Sequence, residues 1–228
     1  MKDAAVPPKE LEFTPPLGKS WLTPLYDGAI AFFTRESRWR RAIVEEAALV
    51  PGDKVIDVGC GTGTLLRALM ANCPEAGFIG AEPFINGVAS LLRHIEDGGL
   101  SNIRIWDDDV RLILDGMAEG GLAGAYVLFP DPWPKRRHAA RRILQPAVLD
   151  SLARLIRPGG MLVLASDHPV AKGWLLQAAV AHPSFVWTAR RPADWRTRPA
   201  GLVPTRYMKK AEREDRVPNW FLFERRPA

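Results

Sequence analysis

The segment Asp57-Val58-Gly59-Cys60-Gly61-Thr62-Gly63 constrains this chain more than any other. It follows the short run KVIDV at 54–58 and leads into 62–71, whose Leu/Met spacing predicts a helix. Three glycines at alternate positions let the backbone bend tightly and approach a ligand that side chains would block. A strand, a glycine bend and a helix in that order make the opening unit of an α/β sheet that binds at its carboxyl edge.

The rest of the chain keeps the alternation. Strands are predicted at 77–82, 102–108, 124–129 and 161–166, with helices at 84–95, 110–117, 143–156 and 170–181 between and after them. Arg157-Pro158-Gly159-Gly160 stops the helix at 143–156, and 185–189 and 219–225 supply two more strands. The expected fold is a doubly wound, seven-stranded, mostly parallel sheet with helices on both faces. The first 25 residues are rich in proline and lack periodicity, and residues 1–34 read as an arm or cover. Residues 35–228 read as a single domain that opens on a helix at 36–49 and a break at Pro51-Gly52-Asp53.

No apolar run reaches the roughly 18–20 residues of a membrane span, so no membrane partner is expected. The N-terminus lacks the apolar core of a secretory signal. Cys60 and Cys73 form no C-x-x-C pair, which points to small core thiols in a reducing cytoplasm and to no metal site. The net charge of +5 is uneven: from Thr188 onward 11 Arg/Lys face 5 Asp/Glu. A basic C-terminal part on a near-neutral body suits a polyanionic partner, or else a solvated basic surface.

Two cofactor classes compete for the glycine bend. A dinucleotide fingerprint reads G-x-G-x-x-G, whereas here the third glycine arrives one residue early. Asp57 would repel a pyrophosphate but would orient a cationic ligand such as S-adenosylmethionine, which carries a sulfonium and an ammonium and no phosphate. Glu82 ends the second predicted strand, 19 residues past Gly63, where a carboxylate accepts both ribose hydroxyls. Asp107-Asp108-Asp109 follow the third strand, where an acid accepts a hydrogen bond from the adenine amino group. Asp57, Gly59, Gly61, Gly63, Glu82, Pro83, Asp108, Asp109 and Val110 are therefore the expected cofactor-binding residues. Their general pattern resembles the class I methyltransferases over about residues 35–170.

Phe129-Pro130-Asp131-Pro132-Trp133-Pro134-Lys135 closes the fourth strand. Prolines on both sides stiffen Asp131, which would sit beside a methyl donor as the catalytic group and contribute to the cofactor site. Trp133 would stack on a base or pack against the sheet end. Five basic residues among positions 135–142 would hold phosphates or form a solvated helix start. Asp167 would cap the helix that follows Pro169 or serve as a ligand.

The FPDPWPK run with its basic continuation, EPFINGVASLL at 82–92, Ser166-Asp167 and RPADWRTRPAGLVPTRYMKKA at 191–211 resemble the tRNA (guanine-N7-)-methyltransferase family over about residues 77–226. The resemblance implies methyl transfer from S-adenosylmethionine to N7 of a guanine in tRNA, at guanine 46 of the variable loop, by a monomer or homodimer. It implies that Asp57, Glu82, Asp109 and Asp131 line the cofactor and reaction site. Lys135, Asp167, Thr205, Arg206 and Tyr207 would contact the guanosine or close over it. The chain departs from the family pattern at Asp57, where the family reads Glu, and at Met208, where a carboxylate is expected. Residues 19–50 look more like the cover of methyltransferases acting on small metabolites or lipids, which is the alternative substrate class.

Overall fold

The structure is a computed structural model and describes residues 51–199 and 202–227. The arm at 1–34 and the helix expected at 36–49 lie outside those residues. Strand β1 (Lys54–Val58) is buried along four of its five positions, as a central parallel strand with both faces covered should be. It pairs in parallel with β2 (Gly77–Ala81) on one side and β4 (Leu122–Leu128) on the other. β3 (Ile103–Trp106) adds to β2, and β5 (Ile156–Ser166) adds to β4. β7 (Asn219–Arg225) runs antiparallel to β5 and carries β6 (Phe185–Trp187) at the edge. The order β3-β2-β1-β4-β5-β7-β6 reverses direction between β1 and β4. That reversal opens a crevice at the carboxyl ends of the two strands, where open α/β sheets bind ligands.

Helices cover both faces. α1 (Thr64–Asn72) buries Leu65, Leu66, Leu69 and Met70 on one face, and α2 (Ile85–Gly98) buries Gly87, Val88 and Leu91. Gly99, at φ 57°, ends α2 in a left-handed cap. α3 (Arg111–Leu114) is a single turn, shorter than the helix expected at 110–117. α4 (Pro146–Leu155) starts three residues later than expected, because Pro146 takes the first helical turn; Arg136–Arg141, before it, winds as a separate 3-10 helix. α5 (Pro169–Ala181) leads to β6, and the short α6 (Ala193–Arg196) follows it. α7 (Arg206–Arg213) was not foreseen, although Thr205 caps it by accepting from the Met208 N–H at 3.3 Å.

The core forms two buried clusters. One contains Ile56, Val58, Leu152, Leu164 and Phe223; the other contains Val55, Leu66, Phe78, Leu91 and Trp220. Alternate residues of β1 thus feed opposite clusters, as the period-2 geometry of a strand requires. No helix among the described residues is long and apolar enough to cross a membrane.

Candidate active site

Gly59, Gly61 and Gly63 take φ of 72°, 55° and 72°, so the bend after β1 depends on left-handed backbone at each of its three glycines. Gly63 serves packing. A Cβ there would lie 2.4 Å from Leu91 Cδ1, so the glycine lets α1 start directly against α2. Gly87 does the reciprocal job, since a Cβ would fall 2.7 Å from the Gly61 carbonyl oxygen and 2.8 Å from Glu82 Cγ. The first turn of α2 is thereby pressed onto the glycine bend and Glu82.

Glu82 ties the two segments together. Its Oε2 accepts from the Gly61 N–H at 2.7 Å and its Oε1 from the Phe84 N–H at 2.9 Å. Asp57 is 3% exposed on the adjacent strand. Burial, and secondarily the charge of Glu82, push its carboxyl up to about 7. Burial also pushes the Cys60 thiol far up, helped by Asp57 and Glu82, so Cys60 stays protonated and unreactive. The bend therefore gathers negative charge and carries no cation of its own, which suits a cationic ligand better than a phosphate.

A folded-state value raised above the ordinary ~3.9 means that Asp57 takes up a proton as the chain folds. The associated stability is present in full below the unfolded value and is lost as pH rises through about 7. Between about pH 4 and pH 7, urea melts should show the native protein losing stability relative to Asp57→Asn, which cannot titrate. Parallel curves for the two proteins would remove Asp57 from that role.

Around the bend lies a cleft of about 570 Å³. That is within the ~300–1,000 Å³ usual for small-molecule sites. Its lining brings together Gly59, Gly61, Glu82, Pro83, Asp108, Asp109, Val110, Asp131, Arg206 and Tyr207 of the expected residues. A narrower recess of about 30 Å³ is lined by Asp57, Gly59, Thr205, Arg206 and Tyr207. Asp109 is already engaged: its Oδ1 accepts from the Arg111 backbone N–H, and its carboxylate pairs with the Arg111 guanidinium, which lowers its pKa. Val110 is buried beside it, and Asp108 Oδ1 accepts from the Asp109 N–H at 2.6 Å.

The loop after β4 supplies the opposite rim. Asp131 is exposed and lines the cleft, and Phe129, on its amino side, donates its N–H to the Ala165 carbonyl oxygen of β5 at 2.8 Å. Trp133 also lines the cleft and packs neither into the core nor freely in solvent. The Arg141 guanidinium sits 4.9 Å from its ring centroid, and His138 meets it edge-on at 5.7 Å. A cation on the indole face is worth roughly 0.5–1 kcal/mol in a partly exposed setting. Tyr207, 52% exposed, stacks on Phe129 at 6.4 Å and closes the side of the cleft.

Three expected residues stand elsewhere. Gly63 faces Leu91 rather than the cleft. Lys135 is exposed at the start of the 3-10 helix and lines neither space. Asp167 Oδ2 accepts from Arg216 Nε at 2.6 Å, in an ion pair that reaches the chain after α7. The cap of α5 is His168, whose Nδ1 accepts from the Val170 N–H, and not Asp167. Met208 leaves no gap: it is 4% exposed in the core cluster with Leu65 and Trp220. The inner face of α7 repeats every three residues through Met208 and Ala211, so an apolar residue anchors it there. Cleft residues that sequence reasoning passed over include Phe84, Asn86 and Ile143. Phe84 and Asn86 lie in the EPFINGV segment, whose signal was there to read.

Comparison with known proteins agrees with this architecture. A family model described as "Putative methyltransferase" matches residues 52–219. The tRNA (guanine-N(7)-)-methyltransferase of Rhodospirillum rubrum is 49% identical over 172 residues, covering 75% of this chain and 68% of the relative. That of Ruegeria pomeroyi is 39% identical over 204 residues, covering 90% and 85%. Among solved structures, an rRNA methylase from Streptococcus thermophilus superposes with a TM-score of 0.57 at 12% identity, covering 82% of this chain and 94% of the other. A "putative methyltransferase" from Streptococcus mutans, in complex with S-adenosylhomocysteine, gives 0.55 at 13% identity, covering 82% and 94%. These last two establish the fold alone. From the matched family and the extent of the sequence identity, the chain belongs to the tRNA (guanine-N7-)-methyltransferase family and is a methyltransferase of the Rossmann-like class I fold.

Proposed function

We propose that the enzyme transfers a methyl group from S-adenosylmethionine to N7 of a guanine in tRNA, at guanine 46 of the variable loop, as a cytoplasmic monomer or homodimer. The observation that carries this reading is the pairing across one cleft of an acidic glycine bend with the rim residue Asp131. When bound, the cofactor supplies an electrophilic methyl on a cationic sulfur. The protein's residues do the rest. Glu82 already orders the bend through Gly61 and Phe84, and as a cleft-lining carboxylate with further acceptor capacity it would take the ribose hydroxyls. Asp57 places negative charge beneath the bend, where the ligand's ammonium would favour its ionised form. Asp108, or Asp109 while paired with Arg111, accepts from the adenine amino group.

Guanine N7 carries a free lone pair at neutral pH, so no base has to remove a proton before attack. The task is to align N7 with the methyl carbon and to exclude water. The purine gains positive charge as N7 is methylated, and the Asp131 carboxylate on the rim favours that charge. Lys135, Arg136, Arg137, Arg141 and Arg206 offer cations for the phosphates of the RNA. The test is transfer of labelled methyl to an unmodified tRNA transcript, with the product identified and mapped by mass spectrometry. N7-methylguanosine at position 46, formed at a rate that falls with salt, is expected. Methylation of another atom, or of small metabolites with tRNA left untouched, would overturn the proposal.

A further inference from the structure

Asp131 lies in a loop with few main-chain donors of its own, since Pro130, Pro132 and Pro134 have no N–H. The loop is also strained, because Phe129 takes φ 52° and Trp133 takes φ 38° without being glycine. Such conformations persist only where the surroundings hold them in place. On the Phe129 side the hold is the bond to β5. On the Trp133 side it comes from two side chains outside the loop. Trp174 Nε1, on α5, donates to the Pro132 carbonyl oxygen at 3.3 Å. Arg142 Nη2 donates to the Trp133 carbonyl oxygen at 3.3 Å. The Arg142 guanidinium also lies 5.7 Å from the Trp174 ring centroid, so the two holders brace each other. Arg142 Nε is buried without an acceptor among the described residues. The guanidinium is thus set by the loop and the indole at the expense of one of its own donors, and such costs cluster at functional sites.

We propose that Trp174 and Arg142 are positioning residues for methyl transfer: they bolt the Pro132-Trp133 backbone and thereby hold Asp131 at the rim of the cleft. Neither is among the cleft-lining residues, so they act through the two carbonyl groups and not on the substrate. The inference rests on the role given to Asp131 above.

Trp174→Phe keeps a ring for the core and for Arg142 and removes the indole N–H. Its single-turnover rate on tRNA transcript, at saturating donor, should fall about 5- to 20-fold, since small misplacements of a reacting group are costly. The KM for tRNA and the Kd for the donor should stay within about twofold, because the residues that line the cleft are untouched. Arg142→Lys loses the planar fork and should split the same way, and it tests the brace from the other side if Trp174→Phe fails to fold. In an Asp131→Ala background, Trp174→Phe should change the residual rate by less than about twofold, since both act through one group. An unaltered rate in Trp174→Phe or Arg142→Lys, a loss confined to binding, or a full additive loss in the double variant would overturn the proposal. If Asp131→Ala is itself fully active, the role of Asp131 fails and the brace fails with it; if Asp131→Ala is impaired while both brace variants turn over normally, only the brace fails.

Discussion

Asp131→Ala is expected to lower the rate of methyl transfer to tRNA by about 10²–10³-fold, the usual cost of removing one preorganised electrostatic group from a reaction site. Its melting temperature should hardly move, because Asp131 is exposed and surface substitutions outside the core are usually within ~0.5 kcal/mol. Asp131→Asn divides the two roles open to the carboxylate. If Asp131 favours the developing positive charge on the purine, Asn is as poor as Ala. If it accepts hydrogen bonds from the guanine edge, the Asn carbonyl recovers part of the rate, on the order of tenfold. Single-turnover measurement separates this from release of the product. Full activity in Asp131→Ala would take the loop out of the chemistry and leave its strained backbone without a catalytic purpose.

Glu82→Ala should weaken S-adenosylmethionine binding by at least about 10²-fold in calorimetry. The carboxylate holds the Gly61 and Phe84 N–H groups, so without it the ligand has to order the bend on binding. The proposed bonds to the ribose hydroxyls are lost as well, and each tenfold in Kd is ~1.4 kcal/mol. Glu82→Gln should fall between, because one amide oxygen can still accept from one of the two N–H groups. Glu82→Gln also removes the negative charge that helps to raise Asp57, so the pH dependence of stability should shift to lower pH in that variant. A Kd within threefold of the native value in Glu82→Ala would separate Glu82 from the cofactor and reduce it to a staple of the bend.

The parts of the site that could be read directly in the chain are those in which one short segment carries a complete physical requirement. Gly59 and Gly61 sit in a bend that takes left-handed backbone at its glycines, and Glu82 and Asp131 each follow the carboxyl end of a strand, so their position at that edge of the sheet followed from the alternation alone. What misled the reading was competition between partners far apart in sequence. Asp167 looked like a cap or a ligand, yet it is engaged by Arg216, 49 residues on, and His168 caps the helix instead. Met208 looked like a missing carboxylate, yet the inner face of α7 uses it as an apolar anchor. Gly63 looked like part of the ligand cradle, yet its lack of a Cβ serves the contact with Leu91 of another helix.

The amino-acid sequence by itself determined the α/β class, the order of its strands and of the helices up to β6, and the acids at the strand ends, because periodicity, turn chemistry and strand-end placement are local properties of a chain. Only the tertiary structure decided which groups are free to act. It buried Asp57 against Glu82, paired Asp109 with Arg111 and set Trp174 and Arg142 behind the Asp131 loop. Those outcomes depend on desolvation and on contacts across the sheet, and both exist only once distant segments have been brought together.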